Sequence, residues 1–161
     1  MKIVRLVTKQ EIASCFPVMR QLRPHLDAPA FAAAVGRMKK QGYQLVAVLD
    51  PDVRAVAGYR FWEMLAMGTV LYVDDLVTAP EYRSQGYGGR LLNWLLDKAK
   101  KQNCAYLELD SGVKRLDAHR FYERNGLQKA AFHFSIPAKA KAPWFVTLEG
   151  RAPSSPISKA T

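Results

Sequence analysis

The chain has 161 residues, 49% hydrophobic and 24% charged, which suits one domain with a full core and is too short for two ordinary ones. No apolar run approaches the ~20 residues of a membrane-spanning helix, and the first residues lack the apolar stretch and small-residue cleavage site of a signal peptide, so a cytoplasmic protein with no membrane partner is expected. The formal charge of +10 suits nucleic acid or a polyanionic small molecule, but Lys and Arg are spread along the chain instead of gathered in one run, which weighs against nucleic acid.

Lys2 to Val7 alternates and predicts a first strand. Thr8 and Glu11 have the spacing of a capping box, so a helix should follow with Ile12, Phe16 and Met19 inward and Pro17 either kinking it or starting a new turn. Asp27-Ala28-Pro29 predicts a second helix start, with Phe31, Val35 and Met38 on one face and Gly42 at the end. Residues 22–26 form the loop between. Tyr43 to Leu49 and Ala55 to Glu63 read as strands joined by the tight turn Asp50-Pro51-Asp52. After a short turn at Met64 to Gly68, Leu71 to Val77 pairs back, which completes a three-stranded meander.

Leu71 to Val77 leads into Arg83-Ser84-Gln85-Gly86-Tyr87-Gly88-Gly89, and a helix follows whose Leu91, Leu92, Leu95, Leu96 and Ala99 recur as one buried stripe. Glycines at the start of a helix remove the Cβ atoms that would keep an anion from the backbone, and the first N–H groups there have no intrahelical acceptor. The stretch therefore reads either as a phosphate cradle or as a turn that needs glycine to change direction. A Walker loop is absent, and Leu91 stands where a Rossmann fingerprint needs its third glycine.

Ala105 to Asp110 predicts a short strand, parallel to the Leu71 strand because a helical crossover precedes it. Asp117 is placed to cap a helix from Ala118 to Asn125, ended by Gly126. Lys129 to Ile136 alternates as a last strand. The order is that of an α/β layer protein with a mixed sheet of six to seven strands and helices on both faces. From residue 137 to 161 the composition turns to Ala, Lys, Pro and Ser, a tail in which Trp144 to Leu148 could dock as a strand on the body or on a second copy in a homodimer. Cys15 and Cys104 lie in apolar patterns and are expected as buried free thiols. His25, His119 and His133 have no ligand spacing, so no metal is expected.

Two stretches carry a family resemblance. R-x-x-G-x-G at Arg83, Gly86 and Gly88, between a strand and a helix, and A-x-x-[FL]-Y-x-x-x-G-[FL] at Ala118, Phe121, Tyr122, Gly126 and Leu127 resemble the two signatures of the GNAT superfamily of N-acyltransferases, over roughly residues 1 to 136. The resemblance implies a mostly antiparallel sheet splayed in the middle and acetyl-coenzyme A as co-substrate. Pantetheine would bond to strand backbone near Leu76 and Val77. The pyrophosphate would rest in the cradle of Ser84, Gln85, Gly86, Tyr87, Gly88, Gly89 and Arg90, with Arg83 on a phosphate or bracing the turn. Lys114-Arg115 occupies a region where the family often has asparagine; Ser111 or Arg115 could substitute there.

Direct attack of an amine on a thioester needs positioning, a polarised carbonyl and a proton for the leaving thiolate. Tyr122 is the candidate acid, since a phenol of pKa about 10 can protonate a thiolate of pKa about 8.5. Glu63, Asp74, Asp75 and Glu108 are candidate bases. Strand alternation puts Asp74 and Asp75 on opposite faces, and Asp75 is favoured. Arg23, His25, Phe31 and Trp62 are expected to line the acceptor side. The reading is an N-acetyltransferase acting on a primary amine of a small molecule, amino-acid-like or with an acid group. A silent acyl-coenzyme A sensor and a nucleic-acid-binding protein are its rivals.

Overall fold

The computed structural model describes residues 1–136 and residue 138; the expected tail, including the docking strand Trp144 to Leu148, lies otherwise outside the described residues. Met1–Leu127 forms one compact unit, and the chain from Gln128 onward belongs to a second. In chain order the elements are β1 (Lys2–Leu6), α1 (Lys9–Ser14), α2 (Phe16–Met19), α3 (Ala28–Lys39), β2 (Gln44–Leu49), β3 (Val53–Met64), β4 (Gly68–Thr78), a 3-10 turn (Pro80–Tyr82), α4 (Tyr87–Lys101), β5 (Tyr106–Glu108) and α5 (Leu116–Arg124). The sheet runs β1-β2-β3-β4-β5. Its first three pairings are antiparallel and β4–β5 is parallel.

The described residues thus make five strands, fewer than the six to seven expected. Lys129 to Ile136 carries no strand; alternation gives a segment two faces, but a strand also needs a ladder. Pro17 lies in the first turn of α2 and begins a new helix, as its missing N–H and fixed φ favour.

The α1 cap forms as its residues dictate. Thr8 Oγ1 accepts from the Glu11 N–H, and the Glu11 carboxylate accepts from the Thr8 N–H at 2.8 Å. The Thr8 and Val7 N–H groups, both donating to the Glu11 carboxylate, lower its pKa from the ordinary value. Thr8→Ala is expected to cost about 1 kcal/mol of unfolding free energy, read from the urea midpoint at constant slope.

Strand alternation divides the core. Leu45, Ala47 and Val56 face α1–α3 with Ile12, Met19, Phe31 and Val35, whereas Val46, Val48, Ala55, Ala57 and Tyr59 meet Leu91, Leu95 and Ala99 of α4 on the other face. Leu96 departs from the expected stripe, being 40% exposed, and Trp94 packs against the core. Asp117 is not the cap of α5: Arg115 holds that position, and Asp117 pairs with Arg120 within the first turn. Both cysteines are free; Cys15 is fully buried, and desolvation pushes its thiol up to about 12. No helix among the described residues is long and apolar enough to cross a membrane, and no group of three or more His, Cys, Asp or Glu there could hold a metal ion.

Candidate active site

The site begins where β4 stops pairing with β5. Their ladder covers only Val70 to Tyr72 against Tyr106 to Glu108, while β4 continues to Thr78. From Val73 onward β4 therefore has no partner on that side among the described residues. A β-bulge coincides with this parting, because Gly58 opposes Asp75 and Tyr59 opposes Val73, which leaves Asp74 as the extra residue. Bulges bend a strand and increase its twist.

The bulge also overturns the expectation that Asp74 and Asp75 point to opposite faces. Asp74 holds Arg60 through both carboxylate oxygens, at 2.8 and 2.9 Å. Asp75 accepts from Arg23 Nε and from the Tyr43 hydroxyl, each at 2.7 Å. The Arg60 guanidinium lies 5.6 Å from the Tyr43 ring centroid, so the two pairs form one cluster on the α1–α3 face. Period-2 alternation fails because an inserted residue resets the pleat. Burial raises the Asp74 carboxyl above its usual range against the opposing pull of Arg60. Tyr43 is held far above the ordinary phenol range by burial and by the Asp75 charge.

At the far end of β4 the chain enters the glycine turn. Ser84 and Gly86 adopt left-handed backbone, with φ of 61° and 85°, and no side chain caps α4. The first helical bond runs from Arg90 N–H to Gly86 C=O at 3.0 Å. The N–H groups of Tyr87, Gly88 and Gly89 thus precede the helix ladder at the positive end of its dipole. The glycines divide their work. A Cβ at Gly86 would meet open space, whereas one at Gly88 would sit 3.0 Å from Thr78 Oγ1 and 3.4 Å from the Phe121 ring, and one at Gly89 would lie 3.3 Å from Asn125 Oδ1. Gly86 thus serves as the turn glycine, and Gly88 and Gly89 let α5 and the end of β4 close onto α4.

Tyr122 follows Phe121 on α5, with 5.4 Å between the two ring centroids. Tyr122 is half-buried, and desolvation raises its phenol pKa from the ordinary value. Ser111, after β5, has a buried hydroxyl oxygen with no hydrogen-bond partner among the described residues, which leaves it able to serve a polar ligand group. The Tyr87 hydroxyl is spent on Asp50 at 3.0 Å and Gln85 Nε2 on the Glu81 carbonyl at 3.1 Å, so each offers backbone to the turn. Arg83 and Arg90 are exposed beside it. Leu76 packs half-buried toward α4, and Val77 lies in the α1–α3 core.

On the acceptor side the expected residues separate. Arg23 joins the buried cluster, His25 is exposed in the α2–α3 loop, and Trp62 is 43% exposed and stacks on Tyr72 at 5.0 Å. Phe31 does not line an opening: it is 3% exposed and packs on Phe16 in the core. The sequence reading missed Tyr43, Gly58, Arg60 and Asn125. The run Asp74-Asp75 facing Gly58 on the neighbouring strand was the available signal for the first three, since consecutive charges in an apolar strand need partners.

The described residues thus combine a five-stranded mixed sheet, helices on both faces and a parting of β4 from β5 that leads to a helix opened by glycine. The acetyltransferase (GNAT) family model matches residues 8–127. The chain is 34% identical to the uncharacterized N-acetyltransferase YhdJ of Bacillus subtilis, over 83% of this chain and 96% of that one. It is 38% identical to the aminoalkylphosphonate N-acetyltransferase of Salmonella typhimurium, over 82% and 88%. Its fold is shared with a putative acetyltransferase from Agrobacterium tumefaciens, TM-score 0.74 at 20% identity over 85% of this chain and 99% of that one. It is shared too with AAC(6')-Iy, solved with a coenzyme A bisubstrate analog, TM-score 0.75 at 12% identity over 86% and 97%. The chain belongs to the GNAT acetyltransferase family and is an acyl-coenzyme A dependent N-acyltransferase.

Proposed function

We propose that the protein transfers the acetyl group of acetyl-coenzyme A directly to the primary amine of a small acceptor that also carries an acid group. The observation that carries this is the edge of β4 from Val73 to Thr78, which no strand pairs on the β5 side among the described residues, and which leads through the turn to the N–H groups of Tyr87, Gly88 and Gly89. A donor with its diphosphate on that helix end can lay its acyl arm along the edge, with backbone near Leu76 and Val77 as hydrogen-bond partners and Ser111 Oγ as a further one. The residues fit that co-substrate. When bound, it supplies an activated acyl carbon and a sulfur leaving group.

The chain's own groups supply position and protons. Tyr122 donates to the departing sulfur. Of the four carboxylates considered as base, Asp75 and Asp74 are committed to Arg23, Tyr43 and Arg60, which supports a scaffold role for both. Glu108 stands on the last β4–β5 rung, opposite Tyr72 and half-buried. We assign it to take the amine's proton, directly or through water.

The acid-bearing acceptor class rests on two things: the chain's +10 charge and its likeness to a relative named for aminoalkylphosphonates. Thiol release from acetyl-coenzyme A in the presence of aminoalkylphosphonates, α-amino acids and polyamines tests it. Release is expected with the first two classes and little with polyamines. Tight coenzyme binding without acceptor-dependent release would instead make the protein a sensor of acyl-coenzyme A.

A further inference from the structure

Asp75 is 7% exposed and is the one buried charged residue among the described core residues. Burying a charge costs several kcal/mol unless every lone pair is served, and three separate parts of the chain serve this one. Arg23 comes from the loop after α2, and its guanidinium bonds the carboxylate at 2.7 Å. Tyr43, just before β2, reaches the other oxygen. It can do so only because Gly58, across the bulge, has no side chain: a Cβ there would lie 1.9 Å from the Tyr43 oxygen. Arg23 does one thing more. Its Nη2 donates to the backbone carbonyl of Asp74 at 3.0 Å, the bulged residue, whose ladder position the two-against-one count disrupts.

We propose that Arg23, Tyr43 and Asp75 act as a pin that holds the β4 bulge, so that they are positioning residues for acetyl transfer, with Arg23 a brace instead of an acceptor contact. The bulge sets the direction in which β4 leaves β5, and with it the aim of the backbone groups near Leu76 and Val77. A guanidinium suits the task because its planar fork reaches a carboxylate and a carbonyl together. A shift of about 1 Å in those groups lowers turnover without removing any contact to the acceptor.

The activity arm of the test rests on the acetyl-transfer reading; the exchange arm does not. In full-length Arg23→Met, amide hydrogen exchange from Val73 to Thr78 is expected to speed up at least ~10-fold while β1 and β2 stay protected. Turnover should fall about tenfold, with KM for the amine within twofold and coenzyme affinity unchanged. Arg23→Lys, which restores the charge but not the fork, should recover only part of each effect. If Arg23→Met is too unstable to study, Tyr43→Phe supplies the same readouts at about a third of the size. A rise in the amine KM at constant turnover would make Arg23 an acceptor contact and overturn the proposal. So would unchanged exchange along β4 in both variants. An inactive wild-type protein with faster β4 exchange in Arg23→Met would sink the acetyl-transfer reading and leave the pin standing.

Discussion

Tyr122→Phe is expected to lower the turnover of acetyl-coenzyme A with its amine about 100-fold while the coenzyme dissociation constant stays within twofold. The ring contact with Phe121, 5.4 Å between centroids, survives in phenylalanine, so α5 should keep its seat against the start of α4. Only the proton donor is lost. The pH profile distinguishes this role from a packing role. Desolvation raises the Tyr122 phenol above its ordinary value, so the wild-type donor keeps its proton to higher pH than a free phenol would. Turnover should therefore rise as the acceptor amine loses its proton and fall only at pH above the range of an ordinary phenol, as Tyr122 itself deprotonates. The variant should keep the rising limb at a lower plateau and lose the alkaline fall, whereas a packing role would leave the shape of the profile unchanged. Isothermal titration with coenzyme A and stopped-time thiol assays give both quantities, and a variant that turns over within threefold of wild type would take Tyr122 out of the chemistry.

How far this site was legible in the sequence depended on whether a residue's partner was local. Thr8 and Glu11, the helix start at Asp27-Ala28-Pro29, and the meander through the Asp50-Pro51-Asp52 turn all close within a few positions, and the structure forms them. The parallel strand after α4 was legible because a helical crossover leaves few alternatives. The sequence could not give the inserted residue at Asp74. A bulge preserves the composition of a strand while resetting its faces, so alternation assigned Asp74 and Asp75 to opposite sides when their partners share one. Phe31 shows the converse limit. An aromatic at helical spacing near a loop can face a cleft or a core, and only the Phe16 ring beside it decides. Lys129 to Ile136 alternates as well as β1 does, but β1 finds a ladder on β2 and that segment carries no strand.

The same substitution at two glycines should move stability in opposite directions. Gly36 lies within α3, with nothing inside 4 Å of an added Cβ, so Gly36→Ala gains helix propensity and should stabilise by about 1 kcal/mol. Gly58→Ala should cost about 3 kcal/mol. The new methyl would lie 1.9 Å from the Tyr43 oxygen and 2.3 Å from Cζ, and Tyr43 is only 3% exposed, with no room to yield. Its ring must move, and with it goes the hydrogen bond to Asp75, which leaves a buried carboxylate supported by Arg23 alone. Urea unfolding at constant slope gives both numbers. A double-mutant cycle with Tyr43→Phe gives the coupling, since removing the phenol oxygen first should make Gly58→Ala cheaper by at least ~1 kcal/mol. If Gly58→Ala costs less than ~1 kcal/mol, or if the two losses simply add, the notch at Gly58 does not hold Tyr43 in place and the bulge is fixed by the β3–β4 ladder instead.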